Sequence, residues 1–524
     1  MAREGDRVPR TTPALLILAL GYAALQLASG WIPPWELFHD ELYYWVGSRR
    51  LELGYVDHPP LAPWLLAGVV ALLGEGRLAF GLPPALCGAG TVFLTGAMAR
   101  RLGAGTFGQL LAGLGAAVAP VLLVFFSFYS VNAIEILLWT SACFLLLELI
   151  RTGDERLWLA IGAVAGLGLL NKHTFGLIGL GMAIGVLATP LRTQLRSRWL
   201  WLGVGLALLL ASPNLGWNFQ NAWPSLDFYQ SRGGMNLPTS LADSVLLQIV
   251  SMNPANLLLW VPGLLFLLVS RTGRRYRALG IAFLLLLLLM LFSGLRRADR
   301  IAGAYPMVLA AGGAFWAGWH GRGYRLVRGA LVALLLAGGA LVLPATVPVV
   351  SPARVVAFFE WIGEKPDIEK ADVGNPLPVF LMGRLEWERL TDEAIAAWET
   401  VPAEERARAV ILAPHWLYAS VIEYYGRERG LPPVVSPHNA YAFWRNDAAG
   451  RDVVLSVGIR EEVLARHFRE TRRLHLFRCE HCASWRPDMP ISVSYGPPKL
   501  LPDLLWDWRH FGLERAPALA LTQE

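Results

Sequence analysis

Apolar runs recur along the first two thirds of the chain, separated by short polar stretches. They lie at 12–31, 82–99, 106–126, 132–150, 157–171, 174–190, 199–213, 254–270, 277–294, 304–320 and 328–347. Each is near the length that crosses a bilayer, or slightly shorter, so the pattern predicts about eleven transmembrane helices. Helices are assigned because a backbone exposed to lipid must satisfy its own hydrogen bonds. The piece Leu61–Leu73 is shorter and follows two prolines. Counting it as a span would invert the side of every later basic cluster, so it is read as a helix lying at the outer interface.

The pattern changes from about residue 348. Short apolar pieces, Ala409–Leu412 and Val453–Val457, alternate with helical pieces such as Ala419–Arg429 and Glu461–Phe468. This is the pattern of a small mixed α/β domain. The expected fold class is an α-helical polytopic membrane protein with a C-terminal extracytoplasmic α/β domain. The expected borders are 1–347 for the membrane domain, with a first outer loop at 32–81, and 348–524 for the outer domain. No internal repeat and no low-complexity tail is visible.

Composition agrees. Hydrophobic residues make up 55% of the 524 positions and charged residues 16%, with a mean hydropathy of +0.43. A soluble protein of this size does not need that much apolar surface. The formal net charge is +6, but the arginines are not gathered into a patch for nucleic acid. They form small clusters between apolar runs: Arg3/Arg7/Arg10, Arg100/Arg101, Arg151/Arg156, Arg192/Arg196/Arg198, Arg271/Arg274/Arg275/Arg277 and Arg322/Arg325/Arg328. All fall on one side, which the positive-inside bias makes the cytoplasm. The first helix is expected to stay uncleaved, since no small-residue cleavage site follows it. The protein is thus expected to be multi-pass in the cell (inner) membrane.

This parity places Asp40–Pro60, Ser212–Asn253, the 296–300 arginines and the C-terminal domain outside. Arg49, Arg50, Lys172, Arg296, Arg297 and Arg300 then run against the charge bias. Arg49 and Arg50 are expected to snorkel to head groups. The 296–300 group is expected to meet an anion, for which a lipid phosphate is suited. Cys479-Glu480-His481-Cys482 has no second Cys pair, so a local disulfide or two free thiols are expected there in preference to zinc. Cys87 and Cys143 lie in spans and read as packing residues.

The candidate chemistry starts at Phe38-His39-Asp40-Glu41-Leu42-Tyr43-Tyr44-Trp45. Two carboxylates beside a hydrophobic span are functional candidates. The bland alternative is that Asp40 only caps the following helix. A carboxylate at the edge of an apolar cavity can act as a base, its basicity raised by desolvation. Tyr43, Tyr44, Asp57 and His58 complete this first constellation as substrate contacts. Glu135, early in the fourth span, could hold a substrate hydroxyl or pair with a basic residue. Asn171-Lys172-His173 offers a point charge for phosphate in Lys172, with His173 equally suited to a structural hydrogen bond. Asn214-Leu215-Gly216-Trp217-Asn218-Phe219-Gln220-Asn221-Ala222-Trp223-Pro224 reads as an amide-rich outer loop, with Asn214 and Trp217 as ligand contacts. An interfacial aromatic belt would look similar.

Asp40-Glu41-Leu42-Tyr43-Tyr44-Trp45 and Gly54-Tyr55-Val56-Asp57-His58-Pro59-Pro60-Leu61 resemble the GT-C glycosyltransferases. The likeness is to the branch of dolichyl-phosphate-mannose–protein mannosyltransferases and bacterial aminoarabinose lipid A transferases. A likeness to a bacterial subgroup rests on Gly168-Leu169-Leu170-Asn171-Lys172-His173, Pro213-Asn214-Leu215-Gly216-Trp217-Asn218-Phe219-Gln220 and Met252-Asn253-Pro254. In the outer domain it rests on Glu423-Tyr424-Tyr425-Gly426 and Ser436-Pro437-His438-Asn439-Ala440-Tyr441. The resemblance implies transfer of a hexosyl or pentosyl group from a polyprenyl-phosphate sugar to a lipid, glycan or protein acceptor on the outer face. It implies a single, inverting displacement, with Asp40 as base and Glu41 as its neighbour. Relatives often carry Asp where this chain has Glu135. Lys172, Arg296, Arg297 and Arg300 are the candidates for neutralising the leaving phosphate. No cofactor is expected beyond, at most, a divalent metal ion, and no residue set is assigned to one. The bilayer is a partner; nucleic acid is not. The rival is a transporter or flippase of a lipid-linked precursor, which should show related halves or matched broken helices. A non-enzymatic scaffold would leave the first-loop acids without a role.

Overall fold

The computed structural model describes residues 11–231, 239–293, 298–363, 365, 373–480 and 488–512. Its helices up to residue 346 are α1 (Pro13–Ser29), α2 (His39–Arg49), α3 (Leu61–Leu73), α4 (Arg77–Arg101), α5 (Thr106–Ala117), α6 (Pro120–Phe125), α7 (Val131–Thr152), α8 (Leu157–Asn171), α9 (Phe175–Leu187), α10 (Arg198–Gln220), α11 (Pro224–Ser231), α12 (Leu241–Ser251), α13 (Leu257–Val269), α14 (Arg277–Phe292), α15 (Tyr305–Gly318) and α16 (Tyr324–Thr346). Among the described residues six helical segments are long and apolar enough to cross a membrane. They are α4, α7, α10, α16, and α14 and α15 with their leading turns. Two bent pairs pass the same test, one at α9 and one at α12–α13, and α1, α3 and α8 are shorter apolar helices.

The eleven expected runs all coincide with helices, but not all are continuous spans. The run 106–126 is two helices, because the chain breaks at Val118–Ala119 and restarts with Pro120 as the first residue of α6. Proline suits that position, since its missing N–H has no helical partner there. A second correction concerns 212–253. Asn214–Gln220 is not a loop but the last turns of α10, and α11 and α12 follow. Pro213 sits inside α10 without ending it.

Contacts divide the chain into two compact units. The first comprises Met1–Ile32, Leu73–Leu215 and Leu237–Phe358; the second comprises Pro33–Leu72, Gly216–Asn236 and Phe359–Glu524.

In the first unit, glycine permits close helix approach. A Cβ on Gly263 of α13 would land on the Val308 carbonyl of α15, and one on Gly312 of α15 on the Leu259 carbonyl of α13. In lipid such small-residue contacts supply packing that hydrophobicity cannot. At the α12–α13 elbow the axes differ by 96°. Asn253 takes a left-handed φ of 69° there, and its Oδ1 accepts the Ala255 N–H at 3.1 Å. Asn256 Nδ2 donates to the Gly115 carbonyl at 2.8 Å, near the end of α5. The amides thus satisfy backbone groups that the helix breaks expose. Residues from three expected basic clusters meet at the C-terminus of α7. Arg101 and Arg151 both pair with Glu148, and Arg275 donates to the carbonyls of Ile150 and Arg151 at 3.0 and 2.9 Å. Cations belong at such an end, where carbonyls lack helical partners.

The second unit carries a five-stranded sheet: β1 (Ala409–Leu412), β2 (Val434–Val435), β3 (Val453–Val457), β4 (Glu470–Arg478) and β5 (Asp488–Tyr495), in the order β2-β1-β3-β5-β4. β1 runs parallel to β2 and β3, while β5 is antiparallel to β3 and β4. β1 and β3 are buried along their whole length, as strands covered on both faces should be. Val410, Leu412, Val454 and Val463 share a core with Leu504 of the last described helix, Leu501–Asp507, and with Trp508, which caps it. This is the expected mixed α/β domain. Cys479 is disulfide-bonded, Cys482 lies outside the described residues, and Cys87 and Cys143 are free and buried.

Candidate active site

In the second unit, α2 gives its two adjacent acids different surroundings. Phe38 precedes the helix in an extended conformation, with φ −69° and ψ 138°. Glu41 folds back so that its Oε2 accepts the Phe38 N–H at 2.8 Å, and it is only 2% exposed. That is one half of a capping box. Asp40 lies one residue earlier in the same first turn, and its side chain is 34% exposed. The helix N-terminus favours its charge. His39 Nε2 is 3.2 Å from Asp40 Oδ1. The capping function therefore falls to Glu41, and Asp40 is the acid presented at the surface of its unit.

The other first-loop candidates come together as a brace. Tyr43 donates to Asp57 Oδ1 at 3.1 Å and accepts from the Ala440 N–H at 3.3 Å. Its ring stacks on Trp416 at 4.5 Å and on Tyr441 at 6.4 Å. Burial, then the Asp57 charge, hold its hydroxyl well above the usual phenol range. Asp57 Oδ2 accepts from Asn439 Nδ2 at 3.0 Å, and Asn439 Oδ1 accepts from the Gly512 N–H at 2.9 Å. His58 packs against Tyr44 and Tyr55, each at 4.9 Å, and its Nδ1 is 3.0 Å from the Pro59 carbonyl. Tyr43, Tyr44 and His58 are all buried. Tyr43, Asp57 and His58 thus brace the loop through these contacts. Trp217 is buried too, in an apolar cluster with Val56, Phe228, Phe443 and Phe511.

Arg50 corrects the expectation that it would reach head groups. It pairs with Glu423 Oε1 at 2.6 Å and Asp447 Oδ2 at 3.0 Å, beneath Trp444. Tyr441 donates to the other Glu423 oxygen at 2.8 Å. Local pattern could not reveal this, because the partners stand 373 and 397 residues further along the chain. A second missed feature is a row of imidazoles. His415 and His438 lie 4.0 Å apart, and His438 stacks on His510 at 4.4 Å. Backbone groups fix their protonation: His438 Nε2 meets the Gly512 carbonyl, and His415 Nδ1 accepts the Leu417 N–H at 3.2 Å. Burial lowers His415 to about 3, helped by the nearby His510 and His39, and lowers His510 to about 4.

In the first unit, Lys172 pairs with Glu135 and His173 with Asn214, while Asn171 bonds a backbone carbonyl. Lys172 Nζ is 2.9 Å from Glu135 Oε2 and 2.6 Å from Asn132 Oδ1. Thr174 donates to the other Glu135 oxygen at 2.6 Å. Asn171 Nδ2 donates to the Val131 carbonyl at 2.8 Å, closing α8 onto the start of α7. His173 Nε2 and Asn214 Oδ1 are 2.8 Å apart. The alternative in which Glu135 pairs with a basic residue is thus the observed one. Arg300 is partly buried in the turn before α15; Arg296 and Arg297 lie outside the described residues. Among the described residues no group of three His, Cys, Asp or Glu side chains is arranged to hold a metal ion.

The helical bundle with its small α/β unit has the GT-C glycosyltransferase fold. Apo ArnT of Cupriavidus metallidurans superposes with a TM-score of 0.60 at 15% identity, covering 91% of this chain and 98% of that one. The same protein bound to undecaprenyl phosphate superposes with a TM-score of 0.57 at 14% identity, over 91% and 97%. The family described as dolichyl-phosphate-mannose-protein mannosyltransferase matches residues 57–217. Lipid A galacturonosyltransferase RgtD of Rhizobium johnstonii is 26% identical over 208 residues, 39% of this chain and 43% of that protein. The match therefore spans less than half of that relative. The family match begins at Asp57, so it does not include Asp40 and Glu41.

Proposed function

We propose that this chain is a multi-pass membrane glycosyltransferase. It would move a sugar from a polyprenyl-phosphate donor to an acceptor on the extracytoplasmic face, with inversion. The observation that carries the assignment of roles is the division of labour on α2. Glu41 is committed to the Phe38 N–H, while Asp40 stands a third exposed at the helix N-terminus. Asp40 would take the proton from the acceptor hydroxyl or amine as the acceptor attacks the anomeric carbon. The bond from that carbon to the phosphate oxygen breaks, and its electron pair leaves with the polyprenyl phosphate. Lys172 and Arg300 are the described cations proposed for the leaving phosphate. Lys172 has three donors, of which Glu135 and Asn132 occupy two.

The donor class is supported by the undecaprenyl phosphate bound in the ArnT structure. A lipid acceptor is supported by the named activity of RgtD. An outer location for the second unit is supported by its bonded Cys479, since disulfides persist in oxidising compartments.

The test uses membranes containing the full chain, supplied with undecaprenyl-phosphate sugars. Release of free undecaprenyl phosphate and gain of sugar by a lipid A acceptor are followed together. The wild type should turn over at least one donor, and Asp40→Asn should be slower by about a hundredfold or more. Full activity of Asp40→Asn would remove it as base. Sugar transfer that leaves the lipid donor unconsumed would remove the donor class.

A further inference from the structure

We propose that His39 is a positioning residue for Asp40, fixing the carboxylate through its imidazole Nε2–H. The proposal rests on the reading of Asp40 as base and deepens it. Neighbours at i and i+1 on a helix do not face each other. The 3.2 Å approach of His39 Nε2 to Asp40 Oδ1 therefore requires the imidazole to be turned along the helix and held there.

The surroundings supply that hold. The His39 N–H donates to the Gly383 carbonyl at 3.1 Å. The ring lies 4.1 Å from the Phe38 ring, and 6.0 and 5.9 Å from those of Trp387 and Trp416. Gly383 completes the slot. A Cβ there would collide with His39 Nδ1 and the Phe38 ring. His39 is 9% exposed, so its ring cannot swing away without opening this packing. Three aromatic rings, a backbone bond and a glycine thus aim one nitrogen at one carboxylate oxygen. A base held in a single rotamer reacts from the productive geometry more often than one free to turn.

The chemistry predicts a split between turnover and binding. An imidazole that orients the base, without touching substrate, should govern kcat and leave KM unchanged. His39→Phe keeps a ring in the slot and removes the N–H. His39→Gln restores an N–H close to the Nε2 position, and His39→Asn places its amide short of it.

The experiment measures steady-state kinetics of the purified full-length protein with the undecaprenyl-phosphate sugar found active. His39→Phe should lower kcat about tenfold or more at unchanged KM. His39→Gln should return to within about threefold of wild type, and adding His39→Phe to Asp40→Asn should cause no further loss. If His39→Phe fails to fold, the Gln and Asn variants carry the same contrast. Unchanged kcat in His39→Phe, or equal activity of the Gln and Asn variants, overturns the proposal while leaving Asp40 as base. Full activity of Asp40→Asn overturns both.

Discussion

Lys172 Nζ and Glu135 Oε2 stand 2.9 Å apart, joining the end of α8 to the first turns of α7. Their side chains are 24% and 10% exposed, so neither charge can retreat fully to water. Removing one partner leaves the other desolvated and unpaired. Lys172→Met should destabilise by about 1–3 kcal/mol and weaken donor binding about tenfold or more. The double change Lys172→Met with Glu135→Gln should recover most of the stability and none of the binding. Thermal unfolding in detergent and titration with undecaprenyl phosphate separate the two effects. Equal donor affinity in Lys172→Met would show that the pair serves packing alone.

The two acids of α2 should separate in the same way. Glu41→Gln weakens the cap on Phe38 and should cost about 0.5–2 kcal/mol of stability. Asp40→Asn should leave the unfolding temperature near wild type and remove turnover. The two variants, measured by both assays, should give opposite patterns; loss of activity without loss of stability in Glu41→Gln would reverse the assignment.

Asn439 holds a left-handed φ of 48° while bridging Asp57 and the Gly512 N–H. Asn439→Gly keeps the backbone and loses both bonds, for about 1–3 kcal/mol. Asn439→Ala adds the strain of a Cβ in that region and should fall roughly a further 1 kcal/mol. Urea unfolding followed by tryptophan fluorescence ranks them. Alanine as good as glycine would mean that the backbone there relaxes.

The imidazole row makes the second unit acid-sensitive. His415 is lowered from 6.5 to about 3, and His510 from 6.5 to about 4. The folded state keeps these rings neutral, whereas the unfolded chain takes up their protons once the pH falls below about 6.5. Stability should be full above that value and decline as the pH falls from about 6.5, down to about 4 for His510 and about 3 for His415, by up to about 1.4 kcal/mol per pH unit for each histidine. Unfolding midpoints across that range give the slope, and His415→Gln should flatten it. An unaltered slope in the variant would assign the acid sensitivity to carboxylates instead.

Much of the first unit was legible because a lipid-crossing helix writes itself as a local apolar run. The 132–150 run is α7 nearly to the residue, and 157–171 is α8. The break at Val118–Ala119 was missed, since Pro120 interrupts hydrogen bonding without interrupting hydrophobicity. The Asn214–Gln220 stretch read as loop because its amides and aromatics hide a helical continuation of α10. The acidic pair was visible, but not which acid does the capping: that depends on a rotamer of Glu41 reaching one backbone N–H. The partners of Asp57 and Arg50 were invisible, because Asn439 and Glu423 approach them only after the chain has threaded the whole bundle.

The segment Pro33–Leu72 folds in one compact body with Gly216–Asn236 and Phe359–Glu524. Chimeras between relatives must therefore exchange these three stretches as a matched set. Transplanting the distal part alone would present Arg50 and Asp57 with foreign counterparts and disturb the very helix that bears Asp40. Diversification of proteins with this fold would on this account proceed by concerted replacement, and covariation between Pro33–Leu72 and the carboxy-terminal portion should be its genomic trace.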